Sequence, residues 1–232
     1  MKTRTFVDLQ DQRKQRSLIS GDAESPQGQK QLEQHLRTSA KARAQQGDYS
    51  SAIVMLTQLI DCNPTSAADY NNRGLLYFQN GQLEKAIADY NTALQLNPHL
   101  ASVYNNRANY YAQLGKLEAA IADYEMALDL NPGNIRAWIN QGITFRDLEL
   151  YEQAVENFDF ALRSGQLTGN IYAERGRTYH LWGDWNCAIS DYQRALTYLP
   201  LPSQPVADPA VRLRLQVEIW IKDLVHPIAH SN

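Results

Sequence analysis

Cysteine is scarce: two residues in 232, Cys62 and Cys187, well separated in the chain. That excludes a disulfide framework and fits a reducing compartment. Cys62 falls where an apolar residue would pack, so it is expected to be core. Long apolar runs are missing too; none approaches the ~18 residues of a transmembrane helix, so no membrane insertion is expected. The opening MKTRTFVDLQDQRKQRSLIS has basic residues but no apolar stretch of the kind a signal peptide carries. There is no excess of cations: 22 Lys and Arg face 25 Asp and Glu, a net charge of −3, which disfavours a general nucleic-acid binder. No P-loop, H-E-x-x-H, G-x-S-x-G or C-x-x-C is present. His226 and His230 are four apart, but Pro227 and the chain end argue against a metal site there. No catalysis, no cofactor and no metal are expected, and a cytoplasmic location is.

The sequence does contain a repeat. Residues 67–100 and 101–134 carry the same residue at twenty of 34 places with no gap. A fixed period of this size signals a stacked array of supersecondary units, each burying its apolar face against a neighbour. The register runs from Glu33 to Pro202 as 33–66, 67–100, 101–134, 135–168 and 169–202. Each unit reads as two helices. The first ends near Gly47, Gly81, Gly115 or Gly183, where glycine accepts the positive φ of a C-terminal cap. Glu149 takes that place in the fourth unit, whose turn is therefore expected to close differently. Asn63-Pro64, Asn97-Pro98 and Asn131-Pro132 end the second helix, since proline cannot continue one.

Particular places then repeat in kind. The eighth is small (Ala40, Gly74, Ala108, Gly142, Gly176) and the twentieth is always alanine (Ala52, Ala86, Ala120, Ala154, Ala188). Large rings fill the fourth, eleventh and twenty-fourth, among them Tyr70, Tyr77 and Tyr90. Large against small is what close packing requires. This pattern resembles the tetratricopeptide repeat across residues 33–202. The resemblance implies an all-α, right-handed superhelical α-solenoid of five helix-turn-helix units plus a C-terminal capping helix. Residues 1–32 are expected to be a flexible N-terminal segment, and 203–232 a linker, capping helix and tail. In that last part Asp208 and Pro209 suit a helix start. Ala210–Val225 has Leu213, Val217, Trp220 and Leu224 at helical spacing. Val211, Leu215 and Ile219 form a second stripe that could support a homodimer.

Two places vary together. The seventh is Ser39, Arg73, Arg107, Gln141, Arg175; the twenty-third is Met55, Asp89, Asp123, Asn157, Asp191. Arginine always meets aspartate, which predicts a bidentate ion pair between the two helices in three units and an uncharged Gln141–Asn157 version in the fourth.

In tetratricopeptide arrays the first helices line a concave groove, which implies candidate contact residues here. Asn72, Asn106 and Asn140 form a row at the sixth place, flanked by Asn71, Asn105 and Asn109. A carboxamide both donates and accepts, so it can hold a peptide backbone without reading its side chains. Arg37, Lys41, Arg136, Arg146 and Arg177 oppose Asp147 and Glu174, leaving the groove positive in an acidic chain. That favours an acidic peptide. Lys41 stands where a chaperone-type carboxylate clamp needs asparagine, so such a clamp is not expected. The function expected is a non-catalytic protein–protein interaction adaptor or assembly factor that binds an extended peptide or partner helix. The Asn-Arg-Gly and Ala-Ile-Ala-Asp-Tyr wording resembles repeats of photosynthetic bacteria and plastids. That implies a cytosolic or stroma-like setting, peripheral at most to a membrane complex. The alternatives are an RNA-binding helical repeat, or a scaffold acting through its C-terminal helix and convex face.

Overall fold

Turn chemistry sets the element order. In the computed structural model, which describes residues 25–201 and 208–225, the described residues are helices and turns with no strand. The chain divides into two compact units between Pro98 and His99. The first holds α1 (Pro26–Gln45), α2 (Tyr49–Cys62), α3 (Ala67–Gln79) and α4 (Leu83–Leu96). The second holds α5 (Ala101–Gln113), α6 (Leu117–Leu130), α7 (Ile135–Asp147), α8 (Tyr151–Leu162), α9 (Thr168–Trp182), α10 (Trp185–Tyr198) and α11 (Pro209–Val225). Each unit is by itself a stretch of α-solenoid built from antiparallel helical hairpins. Helix α1 starts inside the segment expected to be flexible. Ser25 explains why: its hydroxyl accepts the Gly28 N–H at 3.0 Å, and Pro26 sits in the first turn. The other residues expected to be flexible, and most of the linker and tail, lie outside the described residues.

The hairpin turns share one geometry. Gly47, Gly81, Gly115 and Gly183 have φ of 79°, 74°, 70° and 90°. In the first of these, Gly47 N–H bonds Ala44 O and Asp48 N–H bonds Arg43 O. The fourth repeat does not depart from this, contrary to the sequence expectation. Glu149 adopts φ 61°, its N–H bonds Arg146 O, and Leu150 N–H bonds Phe145 O. The fold imposes the left-handed conformation on a side chain that ordinarily avoids it, at a cost of about 1–2 kcal/mol.

Inside each hairpin the eighth and twenty-fourth places meet. A methyl group on Gly74 would lie 2.9 Å from the Tyr90 ring, and one on Gly176 would lie 2.8 Å from that of Tyr192. The small residue therefore sets the helix separation and the ring fills what is left. In the first unit the core runs through Ala40, Ala52, Leu56, Leu59 and Leu76. In the second, Ala108, Ala120 and Tyr124 form one cluster, and Ile139, Ala154, Phe158 and Ile171 another. Each fully buried leucine- or phenylalanine-sized side chain contributes about 1.5–3 kcal/mol. Cys62, expected in the core, is exposed: it is the last residue of α2 and falls on its outer side.

Helix α11 closes the last hairpin. Asp208 accepts the Ala210 N–H at 2.8 Å and starts the helix as its sequence suggests. Val217 and Leu224 pack with Ala173, Ala188, Tyr192 and Leu199, and Trp220 stacks on Tyr192 at 5.6 Å. Arg214 donates to the carbonyls of Leu196 and Leu199 at 2.7 and 3.0 Å, satisfying oxygens at the end of α10. Val211 is fully buried, which removes it from the outward stripe proposed for a dimer. Of that stripe Leu215 is half-buried and Ile219 is 49% exposed.

Candidate functional site

The paired seventh and twenty-third places form the clamp the sequence predicts. Arg73 reaches Asp89 through Nε and Nη2, both at 2.8 Å; Arg107 reaches Asp123 at 2.7 and 2.8 Å; Arg175 reaches Asp191 at 2.7 and 2.9 Å. Each guanidinium also lies between two rings of its own helix. Arg73 is 5.5 Å from the Tyr70 centroid and 5.7 Å from that of Tyr77. Tyr104 and Tyr111 flank Arg107 in the same way, as Tyr172 and Tyr179 flank Arg175. These arginines hold the hairpin together and are spent on it.

The fourth unit lacks the predicted Gln141–Asn157 bond. Both residues are buried, and among the described residues Asn157 Nδ2 has no hydrogen-bond partner. Glutamine's carboxamide ends short of where the guanidinium nitrogens of an arginine lie, so it does not span the gap.

In the first unit a pocket of about 580 Å³ opens between the first helices of two successive repeats. Ala40, Ala44, Tyr49, Leu56, Leu75 and Leu76 give it an apolar floor, and Arg37, Lys41, Gln45, Asn72 and Gln79 line the rest. Three expected groove residues thus meet at one place: Arg37, Lys41 and Asn72. Lys41 and Asn72 are exposed. Arg37 is already engaged, donating to both oxygens of Asp69 at 3.0 and 2.8 Å and to Glu33 at 3.3 Å. Asp69 is fully buried. Burial alone would raise its pKa; the hydrogen bonds from Arg37 and Ser66 outweigh that and hold the carboxyl below its ordinary value. Its spacing, 32 residues beyond Arg37, was the available signal and went unread in the sequence.

Asn71 does not face the groove. It is only 6% exposed, turned into the helix packing. Its counterpart Asn105 in the second unit is half-buried, with Oδ1 buried and unpartnered and Nδ2 3.4 Å from Asn106 Oδ1. The fifth place is a seam position, as Ile139 and Ala173 in the next two repeats also show. Asn109 and Asn140 belong together: Asn109 Oδ1 accepts the Tyr124 hydroxyl at 2.6 Å and Asn140 Nδ2 at 2.9 Å. This fixes the Asn140 carboxamide without consuming its oxygen.

The expected positive charge is partly cancelled inside the fold. Arg146 pairs with Glu174 at 2.7 Å. Arg177 packs over the Trp220 ring at 5.2 Å and contacts His180. Lys41 and Arg136 are the exposed members of the expected set.

Family models match three overlapping stretches: a tetratricopeptide repeat over residues 55–88, a TPR repeat over 74–115, and a tetratricopeptide repeat over 101–134. Residues 55–134 are tetratricopeptide repeats. Solved structures share its fold. MamA is 19% identical with a TM-score of 0.60, over 68% of this chain and 92% of that one. A tetratricopeptide repeat protein from Parabacteroides merdae is 21% identical with a TM-score of 0.64, over 82% and 74%. The APC/C hetero-tetramer Cut9-Hcn1 is 18% identical with a TM-score of 0.67, over 78% of this chain and 35% of that one. No protein with a curated description matches. Identities this low show a common fold, an all-α helical solenoid. The matched repeat family supports a protein–protein interaction scaffold. No described helix is long and apolar enough to cross a membrane.

Proposed function

We propose that this chain is a non-catalytic adaptor that seats an extended, acidic segment of a partner protein against the first helices of its repeats. The pocket in the first unit carries this reading. Its lining holds two cations and three carboxamides over an apolar floor, and no carboxylate. An acidic side chain would meet Lys41, a backbone amide the Asn72 carboxamide, and an apolar side chain Leu75 and Leu76. In the second unit Asn140, held by Asn109, offers a pre-oriented acceptor, and Arg136 offers an exposed charge. Asn106 belongs to the same row. The chemistry on offer is recognition: hydrogen bonds, charge and apolar contact. Assembly of a multi-subunit complex in the cytoplasm is the setting such an adaptor suits.

The test is binding of a synthetic acidic peptide and its uncharged counterpart by calorimetry. Lys41→Glu should weaken the acidic peptide by about tenfold, since it replaces an attractive charge with a repulsive one. Asn72→Ala should weaken both peptides alike. Equal affinity of the wild type for the two peptides would refute the acidic preference. Unchanged affinity in both variants would place the binding site elsewhere.

A further inference from the structure

The α9–α10 turn, in the second unit, carries a further feature. Trp182 ends α9 and Trp185 begins α10, and they are 44% and 54% exposed; Leu181 beside them is 47% exposed. Exposed indoles are costly to leave in water and are the side chains most enriched at binding hot spots. The turn holds them rigidly. Gly183 adopts φ 90°, and the Trp185 indole folds back towards it. Trp182 is braced by Tyr179, stacked at 6.3 Å, and by Tyr151 at 6.2 Å. The two indoles, Gly183, Asp184 and Asn186 line an open hollow of about 460 Å³.

The lining of the hollow holds one carboxylate, Asp184, and no lysine or arginine. Asp147, Asp159 and Asp191 are held by Arg146 and Arg175 and add no free charge. Glu149 and Glu152, which flank Tyr151 in the chain, are exposed. A carboxylate beside aromatic faces is the arrangement that attracts a cation. We propose that this hollow receives an arginine or lysine side chain from a basic segment of a partner protein, its cation against the Trp182 and Trp185 rings and paired with Asp184. The site is independent of the pocket in the first unit and has the opposite charge preference. A chain with both would hold two partners, or two segments of one, by complementary charge.

Asp184 makes the test clean. Its carboxylate accepts the Cys187 N–H at 3.0 Å and starts α10, and asparagine caps a helix equally well. Asp184→Asn therefore removes the charge and keeps the turn. The full chain is titrated with two Gly-Ser peptides, one carrying two arginines and one carrying two glutamates, by calorimetry and tryptophan emission. The arginine peptide is expected to bind and to perturb the emission, and the glutamate peptide to do neither. Trp185→Ala should weaken the arginine peptide by about tenfold. Asp184→Asn should weaken it by about threefold and reduce its salt dependence. Should Trp185→Ala lose helical circular dichroism, Asp184→Asn and the salt titration decide. The proposal is overturned if the two peptides bind alike or neither binds, or if Asp184→Asn leaves the arginine peptide's affinity and salt dependence unchanged. It is also overturned if a helical Trp185→Ala abolishes self-association or vesicle binding while leaving the peptide's affinity intact.

Discussion

The defective fourth clamp can be repaired, and the repair measures what the clamp is worth. Gln141 and Asn157 occupy the places held elsewhere by arginine and aspartate, and Trp138 and Phe145 already stand where the flanking rings belong. Asn157→Asp alone puts a carboxylate at a buried site with no cation to meet it, which should cost about 3–5 kcal/mol. Gln141→Arg alone supplies the cation opposite a neutral amide. Glu125 holds the position from which Asp159 reaches Arg175, so the new guanidinium has an outer partner, and this single change should cost under about 1 kcal/mol. The double variant removes the orphaned Asn157 Nδ2, whose missing bond costs about 1–3 kcal/mol, and installs a bidentate pair that roughly offsets its own desolvation. We expect it to be about 1 kcal/mol more stable than the wild type, with a coupling of at least about 3 kcal/mol between the two sites. Urea unfolding supplies the stabilities, and amide exchange within α7 and α8 localises them. A coupling below about 1 kcal/mol would mean that the Arg–Asp pairs do not bind the two helices together, whatever their geometry.

Two further perturbations follow from the same hairpins. Glu149→Gly relieves a left-handed residue but loosens the unfolded chain, so a net gain of about 0.5–1 kcal/mol is expected in urea unfolding; a loss would show that the side chain does more than tolerate its φ. Because the folded Asp69 carboxyl titrates below its unfolded value of about 4, its contribution is fully present above that pH and is lost as the pH falls through the folded value. In Arg37→Met burial is opposed only by the Ser66 hydrogen bond and raises that carboxyl above its unfolded value, so stability should rise as the pH falls from the raised folded value to about 4, above the window in which the wild type loses it. Parallel pH profiles for the two proteins would contradict the pairing.

Much of the hairpin was legible because each legible element is local. Gly81 and Gly115 mark turns by their own φ, proline stops a helix where it stands, and Arg73 and Asp89 reveal each other through a spacing that recurs. The errors come from places where the surroundings override a residue's own preference. Glu149 adopts a glycine conformation because the two helices it joins leave no other path. Asn71 looked like a groove residue because its neighbour Asn72 is one. At 100° per residue, however, the fifth place lies about 60° from the close-packed eighth, while the sixth lies about 160° away. The groove charge was over-read for a similar reason: a sum over places cannot show that Arg37 is held by Asp69 or that Arg146 is held by Glu174.

Helix α11 has a consequence for assembly. In a repeat array the face presented by the last hairpin is made of the same small and aromatic residues that receive every internal neighbour. Any copy with a free first hairpin could add there, and then another, without limit. By laying Trp220 on Tyr192 and filling the α10 carbonyls with Arg214, α11 makes that face private to its own chain. The helix therefore occupies the face on which a further repeat would otherwise stack.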